Sequence, residues 1–260
     1  MSVVVFTFLL FSQVMLGQTA QRSAAPAAGM TTANELSGIW APKVDPGAIG
    51  MDGGAAVLAF TQELPSMTAW AKGKYDVIRK GTNGPFERTS DQQDPHIHCL
   101  PYGMPRIFAV NEPFEIVQVP GRVLMLFEAD HMVRRIYTDG RKPSEDAEPT
   151  YMGHATGTWE RNTLVVETVG LNDLTWIDSI GHPHSDALRI TERIRRVNHN
   201  TLEIKFLFTD PKAYLKPWGG TKLFELKPDW EISEELTCED HLRDYHIPKL
   251  LKGEPEEAHR

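Results

Sequence analysis

Between residues 114 and 236 the chain breaks into short runs of alternating apolar and polar residues, each closed by turn-forming residues. Period-two alternation over four to ten residues marks half-buried strands, and several such runs at regular spacing restrict the fold to a barrel or sandwich. Residues 114–119 and 122–128 flank Pro120-Gly121, and 132–138 follows after 129–131. Residues 153–160 and 163–170 flank Arg161-Asn162, 187–197 and 201–208 flank 198–200, and 221–226 and 230–236 surround Pro228-Asp229. Each pair reads as a hairpin.

An antiparallel strand reverses the chain, so successive connections fall at opposite ends of the sheet. With antiparallel pairing throughout, the turns at 129–131, 161–162, 198–200 and 228–229 gather at a closed end. The longer connections 139–152, 171–186 and 209–220 gather at an open mouth, where ligand groups tend to sit. Before the strands, Met67, Trp70, Ala71, Val77 and Ile78 recur at helical spacing within 64–79, predicting one amphipathic helix with Trp70 in the core. The expected fold is therefore all-β, an antiparallel up-and-down barrel with one N-terminal helix.

Residues 1–20 carry no charge, and the apolar stretch at 3–10 is far shorter than the roughly 20 residues a membrane-spanning helix needs. This reads as a signal peptide directing the chain to the periplasm or the exterior, with no membrane span after its removal. Residues 21–35 read as a flexible linker, 36–240 as one barrel domain and 241–260 as a polar tail. A formal charge of −8 and a pI near 5.7 supply no cationic surface for nucleic acid. Cys99 and Cys238 are the only cysteines. In an exported chain such a pair reads as a disulfide closing a loop of 238 − 99 = 139 residues, worth roughly 5 kcal/mol by chain entropy; the alternative is two buried thiols.

The loop at 171–186 concentrates the chemistry: three carboxylates, two imidazoles, a carboxamide and an indole. An imidazole can move a proton near neutrality, and a neighbouring carboxylate can fix its tautomer. The expected acid/base is His184, oriented by Asp178 or Asp173, with Trp176 as a flat apolar wall. Tyr151, His154, Asn172, Trp218 and Arg134 complete the expected ligand contacts. The structural alternative is that Asn172, Asp173 and Asp178 form Asx turns while Trp176 plugs the barrel. His96-Ile97-His98 and His182-Pro183-His184 have the spacing of paired metal ligands. No third ligand stands at a familiar distance and Pro183 interrupts strand pairing, so neither metal nor cofactor is expected. Within the strands, Glu128, Arg134, Glu167, Glu192 and Arg193 point some charges toward apolar neighbours, predicting internal salt bridges with Arg134, Arg189 or Arg193. Nucleophile-elbow, dinucleotide, phosphate-loop and zinc-peptidase signatures are missing.

Asp94-Pro95, Cys99-Leu100-Pro101 and Pro105-Arg106 lead into Glu115-Ile116-Val117-Gln118, Pro120-Gly121 and Asp139-Gly140-Arg141. Gly157-Thr158-Trp159-Glu160, the run 163–168, Asn172-Asp173, Trp176, Asp178 and Pro183-His184-Ser185 follow in order. This series, covering roughly 36–239, resembles a group of exported bacterial proteins with lipocalin-like barrels and no settled activity. The resemblance implies a lipocalin-like fold and an exported location. Together with the loop, it leads to the expectation of a cofactor-independent lyase, dehydratase or isomerase acting on an apolar, ring-containing molecule. A carrier of such a ligand is the first alternative, and a metal-assisted hydrolase or oxygenase the second.

Overall fold

The alternating segments pair into a sheet that closes on itself. In a computed structural model the described residues are 35–43, 58–80, 93–143, 146 and 148–234. The expected signal peptide, all of the linker except Glu35, the polar tail and Cys238 lie outside them. Nine strands follow in chain order: β1 (Gly38–Pro42), β2 (Phe114–Val119), β3 (Arg122–Phe127), β4 (Val133–Tyr137) and β5 (His154–Glu160), then β6 (Thr163–Val169), β7 (Arg189–Asn198), β8 (Thr201–Thr209) and β9 (Trp218–Leu226). Each strand neighbours the next, and β9 returns to β1 to close the barrel.

The pairing is not antiparallel throughout. β4 and β5 run parallel, with Ile136 opposite Ala155 and Tyr137 opposite Thr156, while every other adjacent pair is antiparallel. Closure requires this: every antiparallel neighbour reverses direction, and nine reversals would return β1 to itself pointing the wrong way. The connection from β4 to β5 must therefore run the height of the barrel. That run shifts the expected ends. The turn Ala129–His131 lies at the same end as the loops before β7 and before β9, here called the mouth. Pro120-Gly121 instead joins Arg161-Asn162 and His199-Asn200 at the opposite end.

β1 was not expected, and it occupies the place beside β9 that 230–236 was expected to fill; residues 230–234 form no strand. Among the described residues one α-helix of more than a turn forms, α1 (Ala69–Ile78), capped by the Thr68 hydroxyl, which accepts from the Ala71 amide. It buries Ala71, Tyr75 and Ile78. Trp70 is not in the core but 42% exposed, with the Lys74 ammonium over its ring.

Inside the barrel, alternate residues of each strand meet, and two pieces of the β1–β2 connection fill the space between them. Phe108 packs edge-on against Phe114, Phe127 and Phe224. Phe60 packs edge-on against Phe206 and Phe208. Its backbone crosses β9 so closely that a Cβ on Gly220 would sit 1.8 Å from the Phe60 carbonyl oxygen, which is why this position holds glycine. Each ring removes a large apolar surface from water and prefers such edge-to-face neighbours.

The interior also holds an ion pair. Arg134 donates from Nη1 to Glu192 Oε1 at 2.8 Å, from Nη2 to Glu192 Oε2, and from Nη2 to Thr168 Oγ1 at 2.7 Å. All three side chains are buried. The expected internal salt bridge is present, and it corrects the placement of Arg134 among the ligand contacts: its guanidinium is engaged within the barrel. Removing one partner leaves a charge in apolar surroundings. Arg134→Met is thus expected to lower unfolding free energy by about 3–5 kcal/mol in urea titrations, with the double variant Arg134→Met/Glu192→Leu recovering most of the loss.

Candidate functional site at the barrel mouth

The loop between β6 and β7 folds into a short hairpin, with Trp176 bridged to Pro183 and the Ile177 amide donating to the His182 carbonyl at 2.8 Å. Asp178 builds its turn. Its Oδ1 accepts from the amides of Ile180 and His182 at 3.3 Å each, and its carbonyl accepts from the Gly181 amide at 3.2 Å. Gly181 takes a φ of +90°, open to glycine at no steric cost, and this return brings the side chain at position 182 back over Asp178. His182 Nδ1 donates to Asp178 Oδ2 at 2.7 Å, with both side chains essentially fully buried. Asp178 thus makes the Asx-type turn of the structural alternative and also orients an imidazole.

That imidazole is His182 rather than His184. The Tyr75 ring, from α1, stacks on it at 5.3 Å with planes 10° apart, and the Trp218 ring from β9 meets it edge-on at 5.2 Å. Trp218 also packs against Phe208 and Tyr214. The Tyr214 hydroxyl donates to the Pro183 carbonyl at 2.7 Å, and burial holds its pKa well above the ordinary phenol value. Two nitrogens in this cluster, His182 Nε2 and Trp218 Nε1, are buried without a hydrogen-bond partner among the described residues. Below them Lys222 donates from Nζ to the Ala59 carbonyl at 2.5 Å and lies over the Phe60 ring. Burial pulls the Lys222 pKa down to about 7, against the opposing pull of the Asp178 charge.

His184, two residues on, has different partners. Its Nδ1 lies 3.1 Å from the Ser185 carbonyl, which can only accept, so Nδ1 carries the proton and Nε2 accepts from the Thr175 hydroxyl at 3.1 Å. Both nitrogens are engaged in structure. Burial lowers the His184 pKa, opposed by the Ser185 carbonyl and the charges of Asp210 and Asp173. Asp178, already satisfied by His182, does not orient it. Asp210, which the loop pattern did not reveal, anchors the neighbour: its carboxylate accepts from the Ser185 amide at 2.7 Å and hydroxyl at 2.8 Å.

Outside the hairpin a cleft of about 530 Å³ opens against α1. Val77, Ile78, Leu174, Trp176 and Pro183 give it apolar walls, with Lys74 and Asp173 among its lining and His184 also contributing. Trp176 is held from its buried side by Arg106, whose guanidinium lies 5.1 Å from the ring. Arg106 forms two hydrogen bonds of 2.6 and 2.5 Å with buried Asp94. Burial pushes the Asp94 carboxyl up, but the hydrogen bonds and charge of Arg106 outweigh it and the pKa falls below the ordinary carboxylate value.

The remaining expected contacts are dispersed. The Tyr151 carbonyl accepts from the Met104 amide at 2.8 Å, His154 Nε2 lies 2.9 Å from the Glu148 carbonyl, and the Asn172 carboxamide accepts from the Leu174 amide in an Asx turn. None of the three lines the cleft. His96 stacks on Tyr102 at 3.7 Å near Asp130, and His98 is exposed. Among the described residues no three His, Cys, Asp or Glu side chains gather as a metal-ligand set. The chain matches no protein-family model and no curated protein.

The position of His184 has a pH consequence. Burial disfavours its protonated form in the folded chain, while the unfolded chain takes up the proton around the ordinary value of 6.5. The unfolded state therefore binds more protons in the window beneath 6.5, so this contribution to stability is complete above that pH and is lost on acidification. His184→Gln is expected to flatten the dependence of unfolding free energy on pH on the acid side of 6.5, by up to about 1.4 kcal/mol per pH unit relative to wild type.

Proposed function

We propose that the protein is an exported small-molecule enzyme that shifts a proton on an apolar, ring-containing substrate, with His182 as acid/base and Asp178 as its orienting carboxylate. The observation that carries this reading is the Asp178–His182 pair with its unpartnered Nε2. A carboxylate on Nδ1 fixes the tautomer and stabilises the imidazolium, leaving Nε2 to take or return the proton. The aromatic faces of Tyr75, Tyr214 and Trp218 suit a ring, and the reaction class is that of a lyase, dehydratase or isomerase. His182 here takes the role first expected of His184, whose nitrogens are engaged. Helix α1 supplies Tyr75 yet buries only two other residues, so its displacement offers a route to Nε2 from the adjacent cleft. Ligand capture at the mouth of a barrel also agrees with the likeness to exported lipocalin-like proteins.

The test is incubation in deuterium oxide with a panel of aromatic and terpenoid ring alcohols and ketones, read by mass spectrometry for conversion or deuterium gain. Wild type is expected to act on at least one compound. His182→Gln should lose about 10²- to 10⁴-fold in rate, while His199→Gln at the opposite end keeps it. Equal rates in His182→Gln and wild type would remove the dyad from the mechanism.

A carrier is the second reading, favoured by the apolar cleft whose one imidazole has both nitrogens engaged. Recovery of bound, unaltered ligand with no exchange on any compound would establish it. With export goes the proposed Cys99–Cys238 disulfide. Protein made in the periplasm should resist alkylation of both cysteines until reduced, gaining two labels afterwards by intact mass.

A further inference from the structure

We infer that the substrate of this site presents a hydroxyl group to the mouth cluster, giving its proton to His182 Nε2 while accepting from Trp218 Nε1. The inference rests on the acid/base reading above and specifies its substrate class. The indole nitrogen can only donate. With Nδ1–H committed to Asp178, Nε2 of the neutral His182 ring can only accept. Both atoms are buried and unpartnered among the described residues, and their rings touch edge to face at 5.2 Å.

A donor and an acceptor on two touching rings select for a group that is both. A carbonyl oxygen satisfies Trp218 and leaves His182 unmet, and an ammonium does the reverse. A hydroxyl serves both at once. The surroundings restrict what carries it: Tyr75 lies flat on the imidazole, and Phe208 and Tyr214 flank the indole, so the body is a phenol or a cyclic alcohol rather than a sugar. In the forward step the O–H bond breaks, its electron pair stays on oxygen, and the proton bonds to Nε2. The indole N–H steadies the charge growing on that oxygen. In the reverse sense the imidazolium returns the proton to oxygen, and Asp178 balances the cation meanwhile.

Matched probes differing only in that proton test it: 2-naphthol against 2-methoxynaphthalene, thymol against its methyl ether, and menthol against menthyl methyl ether, each titrated by calorimetry. For at least one pair the hydroxyl member should bind about 10- to 100-fold more tightly to wild type, the loss expected when buried polar groups go unpaired. Trp218→Phe should weaken both members by about tenfold, since each keeps an oxygen that accepts from the indole, whereas His182→Phe should remove the preference between them. A panel in which no pair discriminates, or a Trp218→Phe variant that binds the hydroxyl members as tightly as wild type, overturns the inference, and the wild-type comparison stands even if a variant misfolds. The two proposals fail separately. Hydroxyl preference without exchange or conversion sinks the acid/base reading alone, and exchange on ketones without hydroxyl preference sinks this inference alone.

Discussion

Nine strands that close on themselves cannot alternate in direction all the way round, and the position of the single parallel pair decides which loops share an end. Because β4 and β5 are that pair, the long connections before β7 and β9 meet Ala129–His131 and the β1–β2 connection at one rim. Asp130 there accepts from the Tyr102 amide at 2.7 Å, tying that short turn to the chain leading into Arg106. A parallel pair between β7 and β8 instead would have put the loop before β7 at the opposite rim from the loop before β9. The gathering of Tyr75, His182, Tyr214 and Trp218 follows from where the direction fails to reverse.

At that rim, polar groups are buried one above another, and each is held by a neighbour that has a second task. Asp178 closes a turn and orients His182. Tyr214 packs on Trp218 and fixes Pro183, the residue separating the two imidazoles. Lys222 extends from the barrel wall to the Ala59 carbonyl, holding the segment whose next residue, Phe60, fills the space above Phe206 and Phe208. The Ser179 amide holds the same segment by the Leu58 carbonyl at 3.0 Å. The hairpin, the wall and the inserted segment therefore share one network, in which low local dielectric strengthens every satisfied bond and makes an unsatisfied one costly.

The hairpins were legible because alternation between turn residues reports a half-buried strand directly, and the registers of β2 with β3 and β5 with β6 follow from it. β1 escaped notice since Gly38-Ile39-Trp40-Ala41-Pro42 is short and bounded by the two residues least suited to strands. The parallel pair escaped because a connection of that length carries no local sign of which end it returns to. Within the site, composition pointed to the right loop and the wrong imidazole. Asp178 and His182 are four residues apart around Gly181, a spacing that reads as an Asx turn followed by a left-handed glycine, and only that geometry shows which histidine returns to the carboxylate. Trp70 was misplaced because helical periodicity does not say which side of a helix the barrel covers.

β1 is paired on both sides, with Gly38, Ile39 and Trp40 facing β2 and Trp40, Ala41 and Pro42 facing β9. This short strand is the seam through which the first and last parts of the ribbon meet. During synthesis it emerges long before β9 exists, so its outer edge must wait, unpaired, for nearly the whole domain to follow. Completion of the wall is then a late, long-range event, slow by the measure of contact order and exposed to mispairing between chains.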